Sequence, residues 1–95
     1  LKMIITRFLG AFRHVAGAGE ITLNVKDDIS IAEMLKEIVR ELPALKHGLN
    51  DQKPEELKTN ALILVNGREI SVLNGLETTL KDGDELVLVP VVHGG

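Results

Sequence analysis

The segment 29–43 constrains the chain most, because there a long helix is written out in full. Ser30-Ile31-Ala32-Glu33 is a capping box, in which the Ser side chain accepts from the backbone N–H of Glu33 while Glu33 reaches back to the N-cap N–H. Ile29 and Met34 stand where a hydrophobic staple would close over that turn. Apolar residues then recur at Ile31, Met34, Leu35, Ile38, Val39 and Leu42, a three-and-four spacing that makes one buried stripe. Pro43 ends the helix. That stripe needs a partner, and the rest of the chain offers short β-prone runs.

Those runs come in two groups. Residues 3–8, with Ile4, Ile5 and Thr6, read as a strand, and residues 20–25 alternate Glu20, Ile21, Thr22, Leu23, Asn24, Val25 with the period of a half-buried strand. Between them, Gly10, Gly17 and Gly19 among Ala11, Ala16 and Ala18 read as a loop over 9–19, with one helical turn at 12–15. The first pair is therefore a hairpin with a long tip. In the second group, residues 61–65 form a continuous apolar strand, Asn66-Gly67 is a hairpin turn, and residues 68–72 return. A connection over 73–80 leads to the tight turn Lys81-Asp82-Gly83-Asp84, and a last strand over 85–89 is closed by Pro90.

One helix over such a set is an α+β roll. With 95 residues there is room for a single domain, expected to span 1–95 with a flexible tail at 91–95. Because both halves are hairpins, the last strand can lie parallel to the first at the centre of a mixed sheet of about five strands, the ubiquitin-like β-grasp arrangement. Residues 46–60 are polar, hold Gly48, Asn50, Asp51 and Pro54, and read as a surface excursion with a helical turn at 54–57.

Composition removes several classes of function. The net charge of −3 arises from 11 basic and 14 acidic residues spread without a like-charge block, and Phe8 and Phe12 are the only aromatics, so neither a basic face nor a stacking platform for nucleic acid is expected. Cysteine is absent, which excludes a thiol nucleophile, a thiolate metal site and a disulfide framework in this chain. His14, His47 and His93 lie far apart without a paired-ligand spacing, so no metal site is expected. Ser30 is occupied as a cap, and nothing pairs Ser71 with a base. No apolar run nears the ~20 residues that cross a bilayer, and no signal-peptide pattern precedes the first apolar stretch, so a cytoplasmic protein without membrane contact is expected. Leu1 and Lys2 precede the first Met and are left outside the functional reading.

What remains is the end of the sequence and one sheet face. Gly94 and Gly95 carry no Cβ to obstruct attack at a terminal carboxylate, and Pro90 stops strand pairing just before them, so the last residues can project and thread into a narrow site. The strands over 62–65 and 86–89 are apolar on both faces, whereas one helix covers only one. Either the 46–60 excursion shields the second face or an apolar patch is left for a partner, lined by Leu86 and Leu88 or by Val87 and Val89.

Val65-Asn66-Gly67, then Leu80-Lys81-Asp82-Gly83-Asp84-Glu85-Leu86, then Pro90-Val91-Val92-His93-Gly94-Gly95, in this order and at these spacings, resemble the MoaD and ThiS sulfur carriers. Phe12-Arg13-His14-Val15-Ala16-Gly17 is similar to the segment after the first strand of MoaD-type chains, so the likeness spans nearly everything except 46–60. It implies a carrier, not itself an enzyme and binding no cofactor. Its carboxylate at Gly95 would be adenylated by an ATP-consuming, MoeB-like activating enzyme and converted to a thiocarboxylate. In MoaD-like proteins the sulfur passes to molybdopterin through a MoaE synthase subunit. ThiS-like proteins serve thiazole formation, and related small archaeal modifiers are joined to lysines of other proteins. The 46–60 excursion argues against ThiS and leaves the other two open. By the same resemblance, Val92 and His93 belong to the tail that meets the activating enzyme, and Val87 and Val89, with Leu64 or Ile63 beside them, line the partner face. Arg13 is a candidate contact for an acidic partner. A non-covalent β-grasp adaptor, in which the tail is incidental, is the reading from another class.

Overall fold

A computed structural model of the chain describes residues 2–46 and 61–91. Alternation builds its sheet. In β1 (Lys2–Phe8), Ile4, Thr6 and Phe8 are buried while Met3 and Arg7 are exposed, as expected of a strand with one face on a core. In β2 (Glu20–Val25), Ile21 and Leu23 pack against that core and Val25 is buried, with Glu20, Thr22 and Asn24 turned to water. The remaining strands are β3 (Ala61–Val65), β4 (Arg68–Glu69) and β5 (Glu85–Pro90).

The spatial order is β2-β1-β5-β3-β4. β1 pairs antiparallel with β2 and parallel with β5, where Thr6 lies opposite Leu86 and Phe8 opposite Leu88. β3 runs antiparallel to β5, with Ile63 opposite Leu88. The last strand thus occupies the centre of a mixed sheet beside the first, as the order of elements predicts.

The helix α2 (Ile31–Glu41) covers one side. Ser30 Oγ accepts from the Glu33 N–H at 3.1 Å and the Ser30 N–H donates to Glu33 Oε1 at 3.1 Å, so the capping box is formed from both sides. Ile31, Met34, Leu35 and Ile38 are wholly buried. Burying four side chains of this size contributes on the order of 6–12 kcal/mol as an upper bound, against about 1 kcal/mol for a cap. Packing therefore holds the helix, and the cap decides where it begins. Leu42 closes α2, and Pro43–Leu45 form a 3-10 turn that buries Leu45.

The structure corrects the sequence reading in three places. The stretch read as a loop with one helical turn is α1 (Gly10–Ala16), two turns long. Phe12 is buried at 6% exposure and anchors it, and Gly17, at φ 74°, ends it by donating its N–H to the Arg13 carbonyl. The return strand read over 68–72 is only the two residues of β4. There the Glu69 carboxylate accepts from the Ser71 N–H and Oγ, which also holds its pKa below the usual value, and the chain turns into a 3-10 segment (Ile70–Val72) that buries Ile70. Finally, β5 runs one residue further than expected, to Pro90, opposite Ala61. Of the excursion over 46–60 only Lys46, which is exposed, is described, so its suggested helical turn and its role as a shield lie outside the described residues.

Glu33 has a second partner, Lys26. The Lys26 ammonium first, and the Ser30 N–H second, hold the Glu33 carboxyl well below its ordinary 4.5, at about 2. A depressed carboxyl stabilises the fold fully above about pH 4.5, and that contribution is lost as the pH falls towards about 2. Urea midpoints of the wild type and Glu33→Gln should accordingly differ near pH 7 and converge as the pH approaches about 2.

Thr6 is wholly buried in β1, and among the described residues its Oγ1 has no hydrogen-bond partner. Stranding a hydroxyl costs on the order of 1–3 kcal/mol, whereas Val has nearly the same shape. Thr6→Val should raise stability by about 1 kcal/mol in urea denaturation.

Candidate functional site

The turn residues that the sequence brought forward share one place. Asn66 (φ 50°) and Gly67 (φ 85°) both sit in the left-handed region, as a type I′ hairpin turn requires. Asn66 Nδ2 donates to Asp84 Oδ1 at 2.9 Å, and the Glu85 N–H donates to Asn66 Oδ1 at 2.9 Å. Asp84 Oδ2 in turn accepts from the Lys81 N–H at 2.7 Å, closing the turn before β5. Asp82 fastens that turn to β1, accepting from the Met3 N–H at 2.8 Å while the Gly83 N–H donates to the Met3 carbonyl at 2.8 Å. These residues form a polar knot joining β1, β3 and β5. Their work is to set the register of β5 and so to decide which of its side chains face outward.

With that register, Leu86 and Leu88 are wholly buried and face the core, while Val87 and Val89 are half-buried on the opposite side of the sheet. Val87 lies opposite Leu64 on β3 and Arg7 on β1, and Val89 lies opposite Leu62. The structure therefore brings Val87, Val89 and Leu64 together, and adds Leu62, 39% exposed, which the sequence reading passed over. The signal was present, since Leu62 shares the alternation of Leu64. Ile63 is a correction: offered as an equal choice to Leu64, it is 2% exposed and belongs to the core. Arg7 flanks the apolar row with its Nε 2.9 Å from Glu85 and 3.7 Å from Glu20.

β5 leads out of the sheet at Pro90, and Val91 beyond it is 41% exposed. Leu62 and Val91 share the rim of a hollow of about 210 Å³ that also touches Ile70 and Gly75. Gly10 stands at the same end of β5, where a Cβ in its place would lie 3.1 Å from Pro90 Cγ. Val92, His93, Gly94 and Gly95 lie outside the described residues.

Arg13 is not part of the apolar row. With His14 it lines an open concavity walled by Gly10, Gly17, Ala18 and Gly19, to which Val87, Val89 and Leu64 contribute nothing. Among the described residues there is no cluster of three or more His, Asp or Glu side chains able to hold a metal ion, and no helix is long and apolar enough to cross a membrane.

The model of the ThiS family matches residues 6–95. The chain belongs to the ThiS family. Among relatives of this ThiS-family chain is small archaeal modifier protein 3 of Haloferax volcanii, 36% identical over 89 residues that cover 94% of this chain and 95% of that protein. The solution structure of small archaeal modifier protein 1 from Methanosarcina acetivorans superposes with a TM-score of 0.82 at 31% identity, covering 99% of this chain and 97% of that one. A chain in the complex of subunits 1 and 2 of the molybdopterin-converting factor from Helicobacter pylori is similar at a TM-score of 0.61 and 26% identity, covering 98% and 99%. The fold is the ubiquitin-like β-grasp.

The knot makes a graded prediction. Asn66→Gly keeps a residue suited to positive φ but deletes both side-chain hydrogen bonds, and should cost about 1 kcal/mol in urea denaturation. Asn66→Ala loses the bonds and also strains φ, and should cost about 1 kcal/mol more.

Proposed function

We propose that this protein is a ubiquitin-like carrier whose carboxylate at Gly95 is activated by a separate ATP-consuming enzyme. The observation that carries this reading is family membership across residues 6–95, joined to a central strand that leads directly to Val92-His93-Gly94-Gly95. A free carboxylate is a poor acyl donor, because its charge repels nucleophiles and it has no good leaving group. Attack of a carboxylate oxygen on the α-phosphorus of ATP, with pyrophosphate leaving, gives an acyl adenylate that removes both obstacles. Hydrosulfide then attacks the acyl carbon, AMP leaves, and loss of the sulfur's proton gives a thiocarboxylate at Gly95. In this reading the chain supplies no catalytic group to these steps and binds no cofactor; a MoeB-like activating enzyme does the chemistry, and a cytoplasmic location, where ATP is available, fits it.

Sulfur donation to molybdopterin, with this chain as the small subunit beside a MoaE-like partner, is supported by the likeness to the Helicobacter pylori molybdopterin-converting-factor complex. A second reading has its own observation: the likeness to small archaeal modifier proteins at 36% and 31% identity supports attack on the adenylate by a lysine amine, giving an isopeptide and AMP. The two fates share the activation step. In both, Leu62, Leu64, Val87 and Val89 offer the partner an apolar face, while Val92 and His93 accompany the glycines into the enzyme.

Intact-mass analysis after incubation with ATP, a sulfur source and the activating enzyme from the same cells tests this. Replacement of one terminal oxygen by sulfur supports the sulfur carrier, and glycine-tailed lysines on other proteins support the modifier. Deleting Gly94 and Gly95 should abolish either product, and Val87→Asp should weaken activation at least ~10-fold with unchanged circular dichroism. A natural chain continuing past Gly95 without cleavage would overturn the proposal.

A further inference from the structure

The concavity beside the tail exit is lined by two basic side chains and otherwise by glycine and alanine. Its walls are Gly10, Gly17, Ala18 and Gly19, and no acidic side chain lines it. A Cβ on Gly19 would lie 3.5 Å from Arg13 Nε and Cζ, so the guanidinium rests along bare backbone in a defined place. Arg7 and Arg40 each face carboxylates, Glu85 and Glu20 for the first and Glu37 for the second. Among the described residues neither Arg13 nor Arg68 faces one, and of these two only Arg13 lines the concavity. It keeps its planar fork of donors for a ligand, the geometry that suits a carboxylate in two-point contact.

Position supplies the occupant. Gly10 lines the concavity and also abuts Pro90, so the basic pair stands at the corner where β5 ends. Five residues follow Pro90, and at roughly 3.3–3.6 Å each they reach at most about 18 Å. An enzyme that closes on Gly95 must therefore bring its entrance within that distance of Pro90, which puts Arg13 and His14 within reach of whatever lines it. We infer that the Arg13–His14 concavity receives carboxylate side chains from the rim of the activating enzyme's site, a charge-paired contact separate from the apolar sheet face.

This inference rests on the activated-carrier reading, and one assay separates the two. ATP–pyrophosphate exchange by the activating enzyme is measured with wild type, Arg13→Glu, Arg13→Lys and His14→Ala as the carrier. Arg13→Glu should raise KM at least ~10-fold with kcat within about twofold, and His14→Ala and Arg13→Lys, which keeps the charge but loses the two-point contact, should each raise KM by a smaller factor. Wild-type KM should also rise with salt between about 50 and about 300 mM, and the slope should flatten in Arg13→Glu. Exchange with an unchanged KM for Arg13→Glu overturns this contact alone. So does a fall in kcat at constant KM, which would place Arg13 at the chemical step. Absence of exchange with the wild type overturns the carrier reading and this one with it. If Arg13→Glu fails to fold by circular dichroism, the wild-type salt dependence decides, and a flat KM refutes the contact.

Discussion

The parallel pairing of β1 with β5 is the constraint on which the molecule depends. It joins segments from opposite ends of the described chain, as in the Met3–Asp82 bond across 79 positions, and parallel neighbours cannot be linked by a tight turn. The helix, both hairpins and the connection after β4 form the crossover that makes this pairing possible. Register is the sensitive quantity. A slip of one residue in β5 would turn Leu86 and Leu88 to solvent and drive Val87 and Val89 into the core. Asn66, Asp82 and Asp84 oppose that slip with side-chain bonds at the entry to β5, so polar residues far from the tail fix what the tail-bearing strand displays.

The two faces of the same strands consequently differ in burial. The inner face holds the side chains without solvent contact, and α2 lies over it. The outer face carries a shorter apolar row bordered by the Glu20–Arg7–Glu85 ion pairs, which are exposed and contribute little to stability. A change at Leu62 or Val87 can therefore alter the exposed surface while leaving the fold in place. Changes at Leu86 or Leu88 would unmake the fold itself.

Much of this was legible in residues with a strong local signature. Ser30 with Glu33 announced the helix, Asn66-Gly67 the hairpin, and the order of apolar runs the central position of the last strand. The misses have local causes as well. The N-cap of α1 is Leu9, which offers no capping side chain, and the glycine- and alanine-rich composition disguised a helix anchored by the buried Phe12. β4 was overestimated because Ile70 and Val72 are β-prone, whereas Glu69 captures Ser71 and bends the chain inward. The apolar face was half legible, since alternation names two sets and only the structure shows that the one containing Ile63 faces inward. That Arg13 stands apart from this face could not be read from spacing, because α1 was not foreseen.

The tail grows from a strand that is bonded on both sides, to β1 in parallel and to β3 in antiparallel. Tension applied to it along the strand would load both ladders in shear, with many bonds sharing the force, where an edge strand pulled sideways would unzip one bond at a time. The domain is thus a rigid grip on whatever follows β5, and any pull on that strand works against an anchored handle.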